Sequence, residues 1–341
     1  MTDAEARAYA AESVAVTGAP ARLAGGLMNE VWRVPGRPSV IVKHAPPHIA
    51  SAPEIPLDPH RIEIEGRCLE LLGPGGALER IATDAARPPR LLAMDAEAHR
   101  LAMEDVGDAP HLGVWLEEAG NAAGQAGAHL GAFIGALHRE TAGDTALRAD
   151  IDNRSIQETR LQVQYRAIGA ILNRCGVADA EALGAEAEAL GERLLRPGRC
   201  LVMGDLWPPS VLVTPAGLRV IDWEFAHFGN PAQDVAHLAA HLWMIGHRRP
   251  ESHAAACWRG FRGAYAMAVC PVRESLWDAD TERDAAVHYA AEILVRAAGA
   301  FQGGYLYDGL PADAPAVQEA VRRAVDRLRG GAIGWREGFV D

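Results

Sequence analysis

The apolar positions along the chain change their spacing near residue 104. Before that point they come in short extended runs. Arg22–Val34 places two strand-like stretches around Gly25 and Gly26, Pro35–Pro38 reads as a turn, and Ser39–Lys43 is a further strand. Arg90–Met94 and His99–Glu104 complete a predicted small antiparallel sheet. A short helix is expected over residues 4–15. A longer one is expected over Arg61–Leu72, where Ile62, Cys68, Leu69 and Leu72 follow a helical period before the stop at Gly73-Pro74-Gly75-Gly76. The Pro-rich residues 46–60 read as loop. Beyond residue 104 the spacing is mainly helical, over 113–141, 155–195 (two helices interrupted around Gly176), 232–247, 252–268, 282–301 and 315–329. The exception is Leu201–Val213 and Val220–Glu224, two short apolar strands around a turn at Pro215-Ala216-Gly217. The patterns predict an α+β protein of two lobes. Residues 1–104 form a small antiparallel β-sheet lobe with one packed helix, and 105–341 form a larger, mainly helical lobe.

Acids stand where the backbone leaves each of the late strands. Asp205 lies five residues before Ser210, and Asp222 and Glu224 follow on the next strand. A carboxylate, a small oxygen ligand and a further acid pair suit one task. They can hold Mg²⁺ on a nucleoside triphosphate while Asp205 orients a substrate hydroxyl for phosphoryl transfer. The alternative is a hairpin with solvated acids at its ends. The constellation as a whole favours the chemical reading.

These residues resemble the aminoglycoside phosphotransferase and choline kinase group, whose signature is His-Gly-Asp-x-x-x-x-Asn followed by Asp-x-Glu. Within that group the chain is most similar to 5-methylthioribose kinase. That family also has Ser in place of Asn and continues the second motif as in Glu224-Phe225-Ala226-His227-Phe228-Gly229. The likeness covers roughly residues 20–110 and 195–300. Met203 departs from the group's His, and Ala297 stands where methylthioribose kinases carry the second of two adjacent arginines. The resemblance implies a protein-kinase-like fold, ATP and Mg²⁺ as cofactors, and a small sugar-like or polyol hydroxyl acceptor. It implies Asp205 as general base or hydroxyl-orienting acid, with Ser210, Asp222 and Glu224 at the metal. Arg296 becomes a candidate acceptor ligand, or else a surface residue of an amphipathic helix. Trp207 lines the acceptor cleft or fills core.

On the nucleotide side, a turn at Gly25-Gly26 lets backbone amides approach phosphate oxygens. Lys43, closing a Val-Ile-Val run, matches the kinase lysine on the α/β-phosphates, with Glu63 or Glu65 as its acid and Glu65 the better fit to the family pattern. Met103–Val106 fits the lobe connection, so the backbone of Glu104 and Val106 would meet the adenine edge. Met203 cannot make the hydrogen bonds of the family His and is expected to pack under the loop. His237 and His241 are i,i+4 on a helix; without a third ligand at suitable spacing, packing is favoured over a metal pair. Asp234 reads as a helix cap or loop anchor and His138 as a packing residue.

Composition narrows the partners. A net charge of −12 argues against nucleic-acid or anionic-membrane binding, and no apolar run reaches a membrane span. The 341 residues allow one large or two medium domains with a buried core, and a monomer or homodimer is expected. Five scattered cysteines, none in a C-x-x-C pair, and an acidic N-terminus without an apolar signal core predict a cytoplasmic protein with reduced thiols. Besides a metabolite kinase, two readings stay open: an antibiotic-modifying phosphotransferase, and a pseudokinase that binds nucleotide without turnover.

Overall fold

The computed structural model describes residues 1–23 and 28–330, so Gly25 and Gly26 lie outside the described residues. The chain forms two compact units. The first comprises Met1–Ala109 together with Thr214–Ala226, and the second comprises Pro110–Val213 and the chain from His227 onward. Sequence patterning put one boundary after residue 104 and left 214–226 with the helical part. The structure assigns that segment to the first unit, because Asp222 and Glu224 are bound there by Lys43, Arg61 and Asn29.

The first unit is built on a five-stranded antiparallel sheet in the order Ala21–Arg22, Glu30–Val34, Val40–His44, Arg100–Glu104, Leu91–Asp95. Alternation along Val40–His44 sends Val40 and Val42 to one face. There they pack with Trp32, Val34 and Ala102 against Ala6, Tyr9 and Ala10 of the helix Asp3–Ala11. Ile41 and Lys43 have the opposite parity, and the helix Arg61–Leu72 packs on the same sheet, burying Ile62, Glu65, Cys68 and Leu69. Residues 46–60 are not pure loop, since His48–Ile49 and Ala52–Pro56 pair as a small hairpin. The strand Gly217–Val220 runs parallel to Ala86–Arg87 and brings in the turn that carries Asp222.

The second unit is mainly helical. The expected helix over 113–141 is split into Leu112–Trp115 and Ala122–Glu140, with Gly120 in the left-handed region (φ 54°) between them. Ala122–Glu140 packs on Ala254–Val269 backbone to backbone. A Cβ at Gly127 or Gly131 would lie within 2.2 Å of a carbonyl oxygen of the facing helix. The 155–195 region forms Arg154–Arg160, a π-helical turn Leu161–Tyr165, Ile168–Arg174 and Ala180–Leu194. The helices Ala232–Arg248 and Ala279–Ala297 pack against each other, and Cys200–Val202 pairs antiparallel with His227–Gly229. Among the described residues no helix is long and apolar enough to cross a membrane.

Candidate active site

In the first unit the organising group is Lys43, an ammonium only 2% exposed. A buried cation needs carboxylates. It donates to Glu65 at 2.6 Å and to Asp222 at 2.8 Å, with Glu224 at 4.0 Å. Burial opposes charge on both members of the Lys43–Glu65 pair. For Lys43 the carboxylates of Asp222, Glu65 and Glu224 outweigh burial and raise its pKa above the ordinary lysine value. For Glu65 burial prevails over the pull of Lys43 and pushes its pKa up to about 7. Glu63 lies outside this cluster, half exposed beside His60.

Asp222 reaches Lys43 from a left-handed backbone (φ 64°, ψ 58°), a conformation that costs a non-glycine residue about 1–2 kcal/mol. The turn is held from behind. Glu224 is buried, with Oε2 accepting from Arg61 Nε at 2.9 Å and Oε1 from Asn29 Nδ2 at 2.8 Å. Arg61 also donates to the carbonyls of Met28, Pro46 and Asp58. Both Glu224 oxygens are thus engaged by the protein. Asp222 instead keeps 44% of its side chain exposed, a hard oxygen donor of the type that Mg²⁺ takes. At the end of Arg100–Glu104 the Glu104 carboxylate is clasped by Arg87 (2.6 and 2.8 Å) and its amide donates to Arg90 O, while Val106 is half buried just beyond.

In the second unit the Asp205 loop leaves the strand Cys200–Val202 through Met203 and Gly204 (φ 84°), a left-handed turn suited to glycine. Fully buried Asp234 accepts the amides of both Met203 and Gly204 at 2.8 Å. Its orientation comes from a directional chain. Trp277 donates to the Tyr265 hydroxyl (3.0 Å), Tyr265 to His138 Nδ1 (2.9 Å), and His138 Nε2 to Asp234 (3.0 Å). The loop is therefore clamped by its backbone, and the fully buried Met203 side chain packs without needing hydrogen bonds. Asp205 itself, 20% exposed, accepts from Arg160 Nη2 at 2.9 Å, while Arg160 Nη1 donates to the Gly204 carbonyl. Ser210 is fully buried: its hydroxyl donates to Trp207 O at 2.8 Å and accepts from Trp207 N at 3.3 Å.

Behind Asp205 lies a network of neutral rings. His237 Nε2 stands 3.5 Å from Asp205 Oδ1, and His237 Nδ1 meets His288 Nε2 at 3.2 Å. His288 Nδ1 meets the Tyr165 hydroxyl at 2.7 Å. Burial drives the pKa of His237 well below the ordinary histidine value and that of His288 to about 3, so both rings are neutral. One proton arrangement fits these contacts, with His237 Nε2 facing Asp205 at 3.5 Å without a hydrogen bond of its own. Tyr165 donates to His288, His288 donates to His237, and His237 presents Nε2–H toward Asp205; the reverse would aim a lone pair at a carboxylate. His241 bonds Tyr305 (2.8 Å) and Glu292 (3.0 Å), and Gln164 donates to the other Glu292 oxygen at 2.8 Å. Arg296 Nε also donates to Glu292 at 2.8 Å. Burial disfavours the Glu292 anion, yet the Arg296 guanidinium and the hydrogen bond from His241 hold its pKa well below the carboxylate range. The guanidinium carbon of Arg296 lies 4.6 Å from the ring centre of Trp207, 5.4 Å from Phe301 and 5.6 Å from Tyr305.

The structure thus gathers Lys43, Glu65, Asp222 and Glu224 in one unit and Asp205, Trp207, Ser210 and Arg296 in the other. Sequence reasoning missed Arg160, His288 and Glu292. Glu292 is the third acid-or-histidine group beside His237 and His241, whose nearness within the chain had offered no partner. The signal was present: His288, Glu292 and Arg296 recur every four residues along the otherwise mostly apolar stretch 285–297, a polar stripe that has to face something other than core.

A family model described as "Phosphotransferase enzyme family" matches residues 21–276. The 4-hydroxytryptamine kinase of Psilocybe cyanescens is 24% identical over 268 residues, covering 73% of this chain and 74% of that protein. Among solved structures, a choline kinase from Cryptosporidium parvum is 12% identical over 91% of this chain and 89% of its own, with a TM-score of 0.53. A choline/ethanolamine kinase family protein from Mesorhizobium loti is 14% identical over 96% and 95%, with a TM-score of 0.52. At such identities the structural likeness is one of fold: the two-lobed, kinase-like α+β architecture. With three quarters of its length matched by the family model, the chain belongs to this phosphotransferase family and is a small-molecule kinase by class.

Proposed function

We propose that the protein moves the γ-phosphate of ATP, as its Mg²⁺ complex, to a hydroxyl of a small sugar-like or polyol acceptor. The observation that carries this reading is the held state of Asp205. A scaffold that only bound nucleotide has no use for an acid oriented by Arg160 on a loop clamped through both amides by Asp234. Lys43, fixed by Glu65, binds phosphate oxygens, and the backbone around Glu104–Val106 takes the adenine edge. Asp222, with Ser210 as a weaker donor, would hold Mg²⁺, which would supply charge neutralisation for the transferring group. Glu224 keeps the Asp222 turn in place. Asp205 accepts the acceptor's hydroxyl hydrogen late, since a loose transition state asks mainly for alignment of the nucleophile. The first unit serves the nucleotide and the second the acceptor. Five free thiols fit a cytoplasmic enzyme. Strict methylthioribose specificity is not part of the proposal, because Ala297 removes one of the two guanidinium groups that the resembling kinases use.

The test is ADP release with methylthioribose, ribose, choline and an aminoglycoside, for wild type and Asp205→Asn. We expect turnover with at least one uncharged alcohol. Asp205→Asn should lower it by about 10²–10⁴-fold while Mg-ATP affinity stays nearly unchanged. Near-full single-turnover rates in the variant would remove Asp205 from the chemistry. Mg-ATP binding without acceptor-dependent ADP release would leave a pseudokinase.

A further inference from the structure

Three aromatic rings around a cation, with a carboxylate on the fourth side, make a receptor for an ammonium group. The second unit contains such a box, and its guest is part of the chain. Trp207, Phe301 and Tyr305 all place ring centres within 6 Å of the Arg296 guanidinium carbon, and Glu292 supplies the counter-ion at 2.8 Å. The box is rigid. Glu292 is also held by His241 and Gln164, and the Tyr305 hydroxyl bonds His241. It also adjoins the reacting group, since Trp207 is two residues from Asp205 in the same loop and the Asp205 charge acts on Arg296.

We propose that Arg296 is a tethered cation that fills an ammonium-type box beside Asp205, so that the enzyme rejects cationic alcohols and selects uncharged ones. This rests on the reading of the second unit as the acceptor side. An incoming ammonium would find the ring faces covered and a like charge in place. An uncharged polyol finds hydrogen-bond donors instead. Among the described residues, Glu292 is the only hydrogen-bond acceptor recorded for Arg296, and it engages Nε, which leaves both terminal nitrogens for acceptor oxygens. Removal of the guanidinium should convert the box into a working cation site.

The first arm of the test reads binding without turnover. Thermal unfolding and calorimetry are followed with tetramethylammonium chloride against sodium chloride at equal ionic strength. Wild type, Arg296→Ala and Arg296→Gln are compared; in the last, the amide still donates to Glu292 if the alanine variant folds poorly. We expect tetramethylammonium to bind either variant about tenfold or more tightly than wild type and to raise its Tm, with free guanidinium competing for the same site. The second arm is the ratio of kcat/KM for choline to that for its uncharged carbon isostere, which should rise about tenfold or more in the variants. Equal tetramethylammonium affinity in wild type and both variants, or tight binding by wild type, overturns the proposal. Absence of turnover with every alcohol would sink the kinase reading while the binding arm still decides the role of Arg296.

Discussion

The two units fix their key acids by opposite means. Around Lys43 the fixing is by charge. Two buried cations, Lys43 and Arg61, meet three carboxylates, Glu65, Asp222 and Glu224, at 2.6 to 4.0 Å. Around Asp205 it is mostly by neutral donors and backbone. Asp234 takes two amides, and His288 and Tyr165 set the proton on His237, with Arg160 the guanidinium at Asp205 itself. On the proposed function, the difference follows from what each acid would do. A cluster that receives phosphate and metal can be built from exchangeable ions, because its ligands bring charges of their own. An acid that is to align one hydroxyl needs fixed direction, which Arg160 and the clamped backbone of the loop give Asp205.

The sharpest way to break this comparison is to remove charge from the first cluster without disturbing its backbone. Asn tolerates the left-handed conformation of Asp222, so Asp222→Asn should keep the turn. It removes the charged oxygen that meets Lys43 and the best-exposed donor for Mg²⁺. Loss of metal-based charge stabilisation is worth several kcal/mol, so turnover should fall by about 10³-fold or more at a nearly unchanged Tm. Steady-state kinetics over a Mg²⁺ series, beside thermal unfolding, checks both halves of that statement. A variant that recovers its rate at high Mg²⁺ would move the main metal donor elsewhere.

The charge-built cluster was the legible one. Lys43, Asp222 and Glu224 stand in short motifs, because strand ends and tight turns fix their spacing along the chain. The first unit's sheet was readable for the same reason, each strand being a local run. What sequence left open was set by long-range contact. Nothing local joins Arg160 to Asp205, 45 residues later, or Glu292 to His241, 51 residues earlier. The segment 214–226 belongs with the first unit through long-range contacts: the parallel pairing of Gly217–Val220 with Ala86–Arg87, and the hydrogen bonds of Glu224 to Asn29 and Arg61, some 160 to 195 positions away. Gly120 broke a helix whose apolar period runs past it, because the period reports burial and not backbone hand. Ser210 kept its place in the motif, but which way its hydroxyl points is a property of the Trp207 turn.

A second effect, of intermediate size, separates the units by pH. His237, His241 and His288 are buried with pKa values lowered chiefly by burial, and unfolding lets each take a proton near its usual value of about 6.5. Their contribution is therefore complete above that pH and is lost as pH falls below it, by up to about 1.4 kcal/mol per pH unit for each histidine. Glu65 has the opposite sign: its pKa is raised to about 7, so its contribution is present at low pH and is lost as pH climbs toward that value. Amide exchange at about pH 7 and about pH 5.5, corrected for intrinsic rates, should show protection falling in Ala279–Ala297 at the lower pH but not in Arg61–Leu72. Equal losses in both helices would erase the distinction between the clusters.

The smallest expected effect falls on Ser210, the group that both descriptions claim. As a metal donor it belongs with Asp222; as a hydroxyl that closes the Trp207 turn it belongs with the Asp205 loop. Its hydrogen goes to Trp207 O at 2.8 Å and one lone pair accepts from Trp207 N at 3.3 Å, so a single lone pair is left for a metal. Ser210→Ala should therefore cost about 1 kcal/mol of stability, the worth of a buried hydrogen bond, with a few-fold loss of rate. The Mg²⁺ concentration for half-maximal rate should rise only slightly. Ser210→Asn can replace both turn contacts through its amide and adds a stronger carbonyl donor, so its rate should match or exceed wild type if the closed turn admits the larger side chain. The rate profiles against Mg²⁺ decide between the two roles. A loss in Ser210→Ala as deep as that in Asp222→Asn would place the hydroxyl on the metal, whereas a fall in Tm without a shift in Mg²⁺ dependence leaves it in the loop.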